Sequence, residues 1–188
     1  MKGTKDRSLP DGFKYEPALL SPEAEQALAE RLAELPLEAF EFHGYLGKRR
    51  VGSFGWRYDF SGRELTKAED MPPFLLPVRD SAAAFAGLAP CELRHVLVTE
   101  YRPGAAIGWH KDKAVFGDVI GISLLAPCTF RFRRKAGTKW DRVSFVAEPR
   151  SAYLLRGAAR RDWQHSIPGV ESLRYSITFR TLRRDPIP

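Results

Sequence analysis

The chain has 188 residues and a net charge of +7, from 30 Lys and Arg against 23 Asp and Glu. That length fits one domain, which buries roughly 70% of the surface its unfolded chain would expose. Two cysteines, Cys91 and Cys128, exclude a disulfide framework and a four-cysteine zinc site, and the longest apolar stretch, residues 82–89, falls far short of the roughly 20 residues that span a bilayer.

The N-terminal segment lacks the apolar core of a signal peptide, so a reduced, cytoplasmic protein is expected. Residues 1–20 mix charge, Pro and Gly without periodicity and read as a mobile or loosely packed arm. A helix follows. Ser21 suits its cap, Pro22 its first position and Glu23 and Glu25 the positive end of its dipole, while Ala24, Leu28, Leu32 and Leu35 make one apolar stripe that Pro36 ends. From about residue 40 to 61 aromatics, Gly and the basic triplet Lys48, Arg49 and Arg50 have the composition of irregular strands and loops. An alanine-rich helix is expected from about Pro73 to Leu88.

After Pro90 the pattern turns to β. Strands are expected over residues 93–101, 105–110, 118–125, 129–134, 143–148, 151–157, 163–168 and 174–182, separated by Pro or Gly turns. Two helices followed by eight short strands imply a mainly β protein of the α+β kind: a double-sheet jelly roll with helices packed on one outer face. No Gly-rich phosphate loop or βαβ alternation occurs, which excludes the Walker and Rossmann nucleotide sites.

His110 and Asp112, in GWHKD, follow a strand, and alternation turns both side chains to the same face, as two ligands to one metal require. With four His and ten Asp in the chain, chance alone gives about 0.2 such H-x-D pairs. The signal sharpens with His165, later in the strand-like WQHSIP. Two imidazoles and one carboxylate make a face that leaves positions open on Fe(II) for a co-substrate and O₂. In RYSITFR, Arg174, Ser176, Thr178 and Arg180 share one strand face, with the two arginine α-carbons roughly 20 Å apart. They cannot both grip one carboxylate, yet their long side chains, leaning inward, can flank a short dicarboxylate. An R-x5-R spacing means little alone, since Arg57/Arg63 and Arg150/Arg156 repeat it.

The ordered series TEYRPGAAIGWHKD, His165 and RYSITFR resembles the AlkB-type branch of the Fe(II)- and 2-oxoglutarate-dependent dioxygenases over residues 99–180. The resemblance implies that His110, Asp112 and His165 bind Fe(II). It implies that Tyr101 hydrogen-bonds 2-oxoglutarate, Arg174 pairs with its distal carboxylate, and Arg180 lies near the end that chelates iron. Thr99 and Ser176 stand at co-substrate positions where the family pattern has Asn. The implied chemistry is oxidative N-dealkylation of bases in nucleic acid: O₂ and 2-oxoglutarate become succinate and CO₂ while the alkyl carbon is hydroxylated and leaves as an aldehyde.

The implied domain is single: an N-terminal arm and helix (1–36), a substrate lid (37–66) and a jelly-roll core (90–182). In the lid, Phe54, Trp56, Tyr58 and Phe60 lie beside Arg49 and Arg50. Trp56 and Tyr58 are candidates to hold a flipped base and Arg49 and Arg50 to meet its phosphates, while the alternative places the rings in the core. His43 stays open between the two. His95 reads as a core histidine and Trp109 as packing. Arg131, Arg133 and Arg134 make either a solvated basic face or a phosphate track. The expected partner is alkylated single-stranded DNA or RNA, met by a monomer without a membrane. An acidic residue frequent two positions beyond the metal Asp is Ala114 here, which keeps open a hydroxylase or demethylase of tRNA or protein. A non-catalytic metal-binding jelly roll is the third reading.

Overall fold

Two antiparallel sheets face each other in the computed structural model, which describes residues 8–42, 45–59 and 64–183. The larger contains β1 (Phe13–Glu16), β2 (Glu38–Phe42), β3 (Tyr45–Asp59), β4 (Glu64–Lys67), β5 (Leu93–Tyr101), β7 (Phe116–Leu124), β10 (Ala152–Leu155) and β12 (Arg174–Leu182). Its order is β1-β10-β7-β12-β5-β3-β2, with β4 paired to β3. The smaller contains β6 (Ile107–His110), β8 (Cys128–Ala136), β9 (Lys139–Ala147) and β11 (Gln164–Ile167), in the order β6-β11-β8-β9. This is the expected jelly roll. All eight strands expected after Pro90 form, two of them, β5 and β12, with the bounds the sequence indicates.

Helix α1 (Pro22–Ala33) starts as its sequence dictates: the Ser21 hydroxyl accepts from the Ala24 amide at 3.2 Å. The second helix is a 3₁₀ turn at Pro73–Leu75 running into α2 (Leu76–Ala86). Leu28 and Leu32 of α1 and Val78, Ala82, Ala83 and Ala86 of α2 join one buried cluster with Val96, Val98, Ile120, Ile122, Ile177 and Phe179 of the larger sheet. Both helices therefore cover one face of that sheet, and each buried Val, Leu, Ile or Phe side chain contributes about 1.5–3 kcal/mol. The second cluster lies between the sheets, where Phe130, Phe132, Tyr153 and Trp163 pack with Tyr101. Among the described residues no helix is long and apolar enough to cross a membrane.

Several local expectations change. The N-terminal arm contains an ordered strand, because Phe13–Glu16 pairs with residues 152–155 and Phe13 packs edge-on to Phe132 at 5.5 Å. The stretch read as irregular is dominated by β3, a single 15-residue strand. Gly55, at φ 79°, is where β3 stops pairing with β5 and takes up β4, a left-handed conformation that glycine adopts without penalty. The region expected as a substrate lid is joined to the larger sheet over Arg49–Gly55. Finally, β9 begins at Lys139, since the β8–β9 hairpin zips through its polar end, and a short helix α3 (Gly157–Arg161) precedes the β11 strand.

Candidate active site

Strand register creates the centre of the site. His110 of β6 lies directly opposite His165 of β11, with ring centroids 4.2 Å apart. Asp112 follows two residues later, and the nearest ligand atoms of the three side chains all lie within 4.8 Å of one another. Among the described residues no other group of three His, Cys, Asp or Glu side chains comes this close. Two nitrogens and one carboxylate oxygen on one side of a point match the facial arrangement that suits Fe(II).

Each ligand is held by a further group. The Nδ1–H of His110 donates to the Gly108 carbonyl at 2.8 Å, which leaves Nε2 as the free lone pair. His165 stacks on Phe130 at 5.2 Å with an interplanar angle of 16°. Arg180 reaches across from β12 and donates from Nε and Nη2 to Oδ1 of Asp112, both at 2.6 Å, so that Oδ2 faces His165 at 3.7 Å. Its Nη1 donates to Nδ1 of His95 at 3.3 Å. Burial alone would push the Asp112 carboxyl up, but the Arg180 guanidinium and the His165 ring outweigh it and hold it well below the usual carboxylate range. Burial pulls His165 down to about 3, with His110 adding to the effect, and lowers His110 as well. The set therefore stands as two neutral imidazoles and one carboxylate, the protonation that metal ligation requires.

A narrow cavity opens from this centre between the sheets, lined by Arg49, Thr99, Tyr101, His110, Asp112, Tyr153, His165, Ser176 and Arg180. Six residues along β12, Arg174 is fully buried and lies over the Tyr101 ring at 4.9 Å. Its Nε donates to the Ser123 hydroxyl at 3.0 Å, while Nη1 and Nη2 are buried without a hydrogen-bond partner. A buried cation with two idle donors is costly unless an anion completes it. The fork is spaced for a carboxylate and lies over Tyr101, which lines the cavity, while the donor set within the cavity is spaced for a metal, so a short dicarboxylate that also chelates suits both.

Most residues singled out in the sequence converge here. Thr99 and Ser176 face each other across β5 and β12 and line the cavity. Arg49 lines its mouth. Arg50 does not: it points to the other face of β3, donating to the Leu37 carbonyl at 2.8 Å and pairing with Glu100 at 3.4 Å. Trp56 is also away from the cavity, beneath Arg94 at 5.1 Å, and Phe54 is in the helix-covered core. His43, Phe60 and the side chain of Tyr58 lie outside the described part of the structure.

Sequence reasoning missed Ser123, Tyr153 and Arg160. Tyr153 fits because residue 121 is glycine: a Cβ there would come within 2.1 Å of its ring. Arg160 donates to the carbonyls of Lys113, Phe116 and Gly117 at 2.7–2.9 Å and so ties the loop after Asp112 to the helix before His165. Nothing in AARRD distinguishes Arg160 from its neighbour Arg161 or signals that role. Two roomier grooves, near the β7–β8 and β11–β12 loops and between α1 and α2, contain no such ligand set.

The family described as the 2OG-Fe(II) oxygenase superfamily matches residues 12–180. The mouse "Alpha-ketoglutarate-dependent dioxygenase alkB homolog 7, mitochondrial" is 31% identical over 85% of this chain and 68% of its own length. This chain belongs to the AlkB branch of that superfamily. The Arabidopsis thaliana "Alkylated DNA repair protein ALKBH8 homolog" is 30% identical over 75% of the chain, which spans about half (51%) of that relative's length. The solved structure of OsALKBH1 shares the fold, with a TM-score of 0.71 at 16% identity over 93% of this chain and 99% of that one. As an AlkB-type 2OG-Fe(II) oxygenase the chain is an oxidoreductase whose cofactors are Fe(II), 2-oxoglutarate and O₂.

Proposed function

We propose that this AlkB-type chain removes N-linked alkyl groups from bases of single-stranded nucleic acid, with His110, Asp112 and His165 holding Fe(II) and Arg174 holding the distal carboxylate of 2-oxoglutarate. The observation that carries the site assignment is the buried Arg174 guanidinium with two idle amino groups, six residues along β12 from the arginine that pairs with Asp112 of the three-residue ligand set. When bound, Fe(II) supplies the redox chemistry that couples decarboxylation of 2-oxoglutarate to hydroxylation of the substrate carbon.

The chain's own residues prepare that chemistry. Arg180 keeps Asp112 ionised and turns Oδ2 toward the histidines. Ser123 and the Tyr101 ring fix the Arg174 fork, and Thr99 and Ser176 offer hydroxyls along the cavity between the two ends. Phe130, packed flat against His165, keeps bulk water from the inner side of that ring. At the mouth, Arg49 is a cation for a phosphate of the strand whose base enters. Nucleic acid is favoured by the net charge of +7 and by the similarity to the protein described as an alkylated DNA repair homologue. Single strands are favoured because an unstacked base is cheaper to deliver.

The test is an aerobic incubation with Fe(II), ascorbate and 2-oxoglutarate over N-alkylated single-stranded DNA, the equivalent RNA and tRNA, with mass spectrometry of nucleosides and succinate. Lesion loss matched by succinate is the expected result. Nucleosides unchanged across the whole panel would overturn the nucleic-acid reading and move the search to protein, while activity on tRNA alone would select the alternative that exposed Ala114 keeps open.

A further inference from the structure

The cavity leaves unused a second concentration of arginine and tryptophan, on the outer face of the smaller sheet. Register decides which residues share that face: Arg131 stands opposite Ser144 and Ser166, Arg133 opposite Arg142 and Gln164, and Lys135 opposite Trp140. Phe130 and Phe132 alternate into the inter-sheet cluster instead. Arg134 follows their parity, lying over Trp163 at 4.7 Å and pairing with Asp141 at 3.4 Å, so the basic face is Arg131 and Arg133 without Arg134.

The guanidinium of Arg133 is held between two indoles, 4.5 Å from the centroid of Trp109 and 4.4 Å from that of Trp140. Arg131 lies over the Trp109 ring at 5.1 Å. Their Nε atoms donate to neutral partners, Gln164 at 2.7 Å and Ser166 at 3.0 Å. Among the described residues neither arginine meets a carboxylate. The two cations are thus ordered by stacking and neutral hydrogen bonds, which leaves their charge undiminished and their amino edges free for an anion. Ordered guanidinium edges take phosphate oxygens, and the indoles beside them offer stacking surface to bases. The face also meets the cavity: β6 is the edge strand of the sheet, and Trp109 on its outer side precedes His110 on its inner side.

We propose that this face, centred on Arg133 between Trp109 and Trp140, is a docking surface for the phosphate backbone of single-stranded nucleic acid, which rounds the β6 edge to bring a base to the cavity. The proposal rests on the reading of nucleic acid as substrate. It adds a binding surface that the catalytic centre does not require.

The experiment measures binding of a labelled, unmodified 20-nucleotide single strand across a salt series, with the Arg131→Gln/Arg133→Gln double variant beside the parent. The affinity of the variant is expected to fall about tenfold or more, and its log–log salt slope by about 1.4, since each phosphate contact on a single strand contributes about 0.7. Its succinate formation in the absence of nucleic acid should be unchanged. Should the double variant melt below the parent, Lys135→Glu at the exposed end of the face must itself weaken binding and lower the slope. Unchanged affinity in a folded variant overturns the proposal, as does a parent that binds phosphatidylserine vesicles and no oligonucleotide. Dealkylation by a parent whose folded variant keeps full affinity removes the docking surface alone. Lost affinity in the variant, with no lesion turned over by the parent, keeps the surface and removes the dealkylase reading.

Discussion

The two ends of β12 carry the same residue in opposite circumstances. Arg180 is satisfied within the protein, by the Asp112 carboxylate at 2.6 Å and the His95 ring at 3.3 Å. Arg174, six residues earlier, is more deeply buried yet has one neutral partner and two idle amino groups. A buried ion pair is maintained by its own geometry, whereas a buried lone cation is maintained by the rest of the fold at a cost. The difference separates a group that positions a metal ligand from one prepared for an external carboxylate.

Replacing each arginine by the apolar, similarly long Met breaks that comparison most directly. Arg180→Met leaves the Asp112 carboxylate buried and uncompensated, so we expect a loss of about 3–5 kcal/mol of stability and of the metal site with it. Thermal melts and Co(II) absorption titrations check both. Arg174→Met removes a charge that no carboxylate among the described residues neutralises, so the apo-protein should melt no lower than the parent. Its affinity for 2-oxoglutarate should fall by about a hundredfold or more, because each hydrogen bond to a charged group contributes about 1.5–3 kcal/mol. The parent should gain about 2.7 kcal/mol of stability from 2-oxoglutarate at a hundred times its Kd, and the variant almost nothing at the same concentration. Equal destabilisation by the two substitutions would erase the distinction between the strand ends.

A smaller effect concerns Arg160, which holds the loop after Asp112 through three carbonyls. Arg160→Met should weaken metal binding by about 10–100-fold, the usual range for groups that orient ligands, while leaving 2-oxoglutarate affinity in metal-loaded protein unchanged. Competition of the apo-protein against a Co(II) chelator would measure it. A loss of co-substrate affinity instead would place Arg160 with Arg174 rather than with Arg180.

Local periodicity makes some of this legible in the sequence. Alternation along RYSITFR put Arg174 and Arg180 on one face, and H-x-D after a strand put two candidate ligands together. What alternation does not carry is the partner strand. Arg50 and Arg49 are neighbours in a basic triplet, and only pairing with β5 shows that Arg49 shares a face with Tyr101 while Arg50 meets Glu100. Proximity in sequence groups Arg134 with Arg131 and Arg133, against the parity that sends it to Asp141. Tyr153 and Ser123 are invisible for another reason: each sits in a strand buried on both faces, where no periodic contrast marks the side that meets the cavity at Tyr153 or Arg174 at Ser123. The N-terminal strand was missed because its four residues find their hydrogen bonds in β10, more than 130 positions away.

The mildest test lowers the pH of the metal-free protein and concerns only the Arg180 end. His165 is held down to about 3 and His110 is lowered in the same direction by burial, so below about pH 6.5 the unfolded chain binds protons that the folded one refuses. Stability is therefore complete above that value and drains away as the pH falls toward 3. Asp112 acts with the same sign at lower pH, because its depressed folded value means that the unfolded carboxyl protonates first. Bound metal competes with those protons, so the metal-loaded protein should keep its melting temperature to lower pH than the apo-protein. In His165→Gln, which titrates in neither state, the apo-protein's loss between pH 6.5 and 5 should shrink. A slope unchanged by that substitution would mean that the acid sensitivity comes from elsewhere, and that the neutral imidazoles are not what holds this end of the strand in readiness.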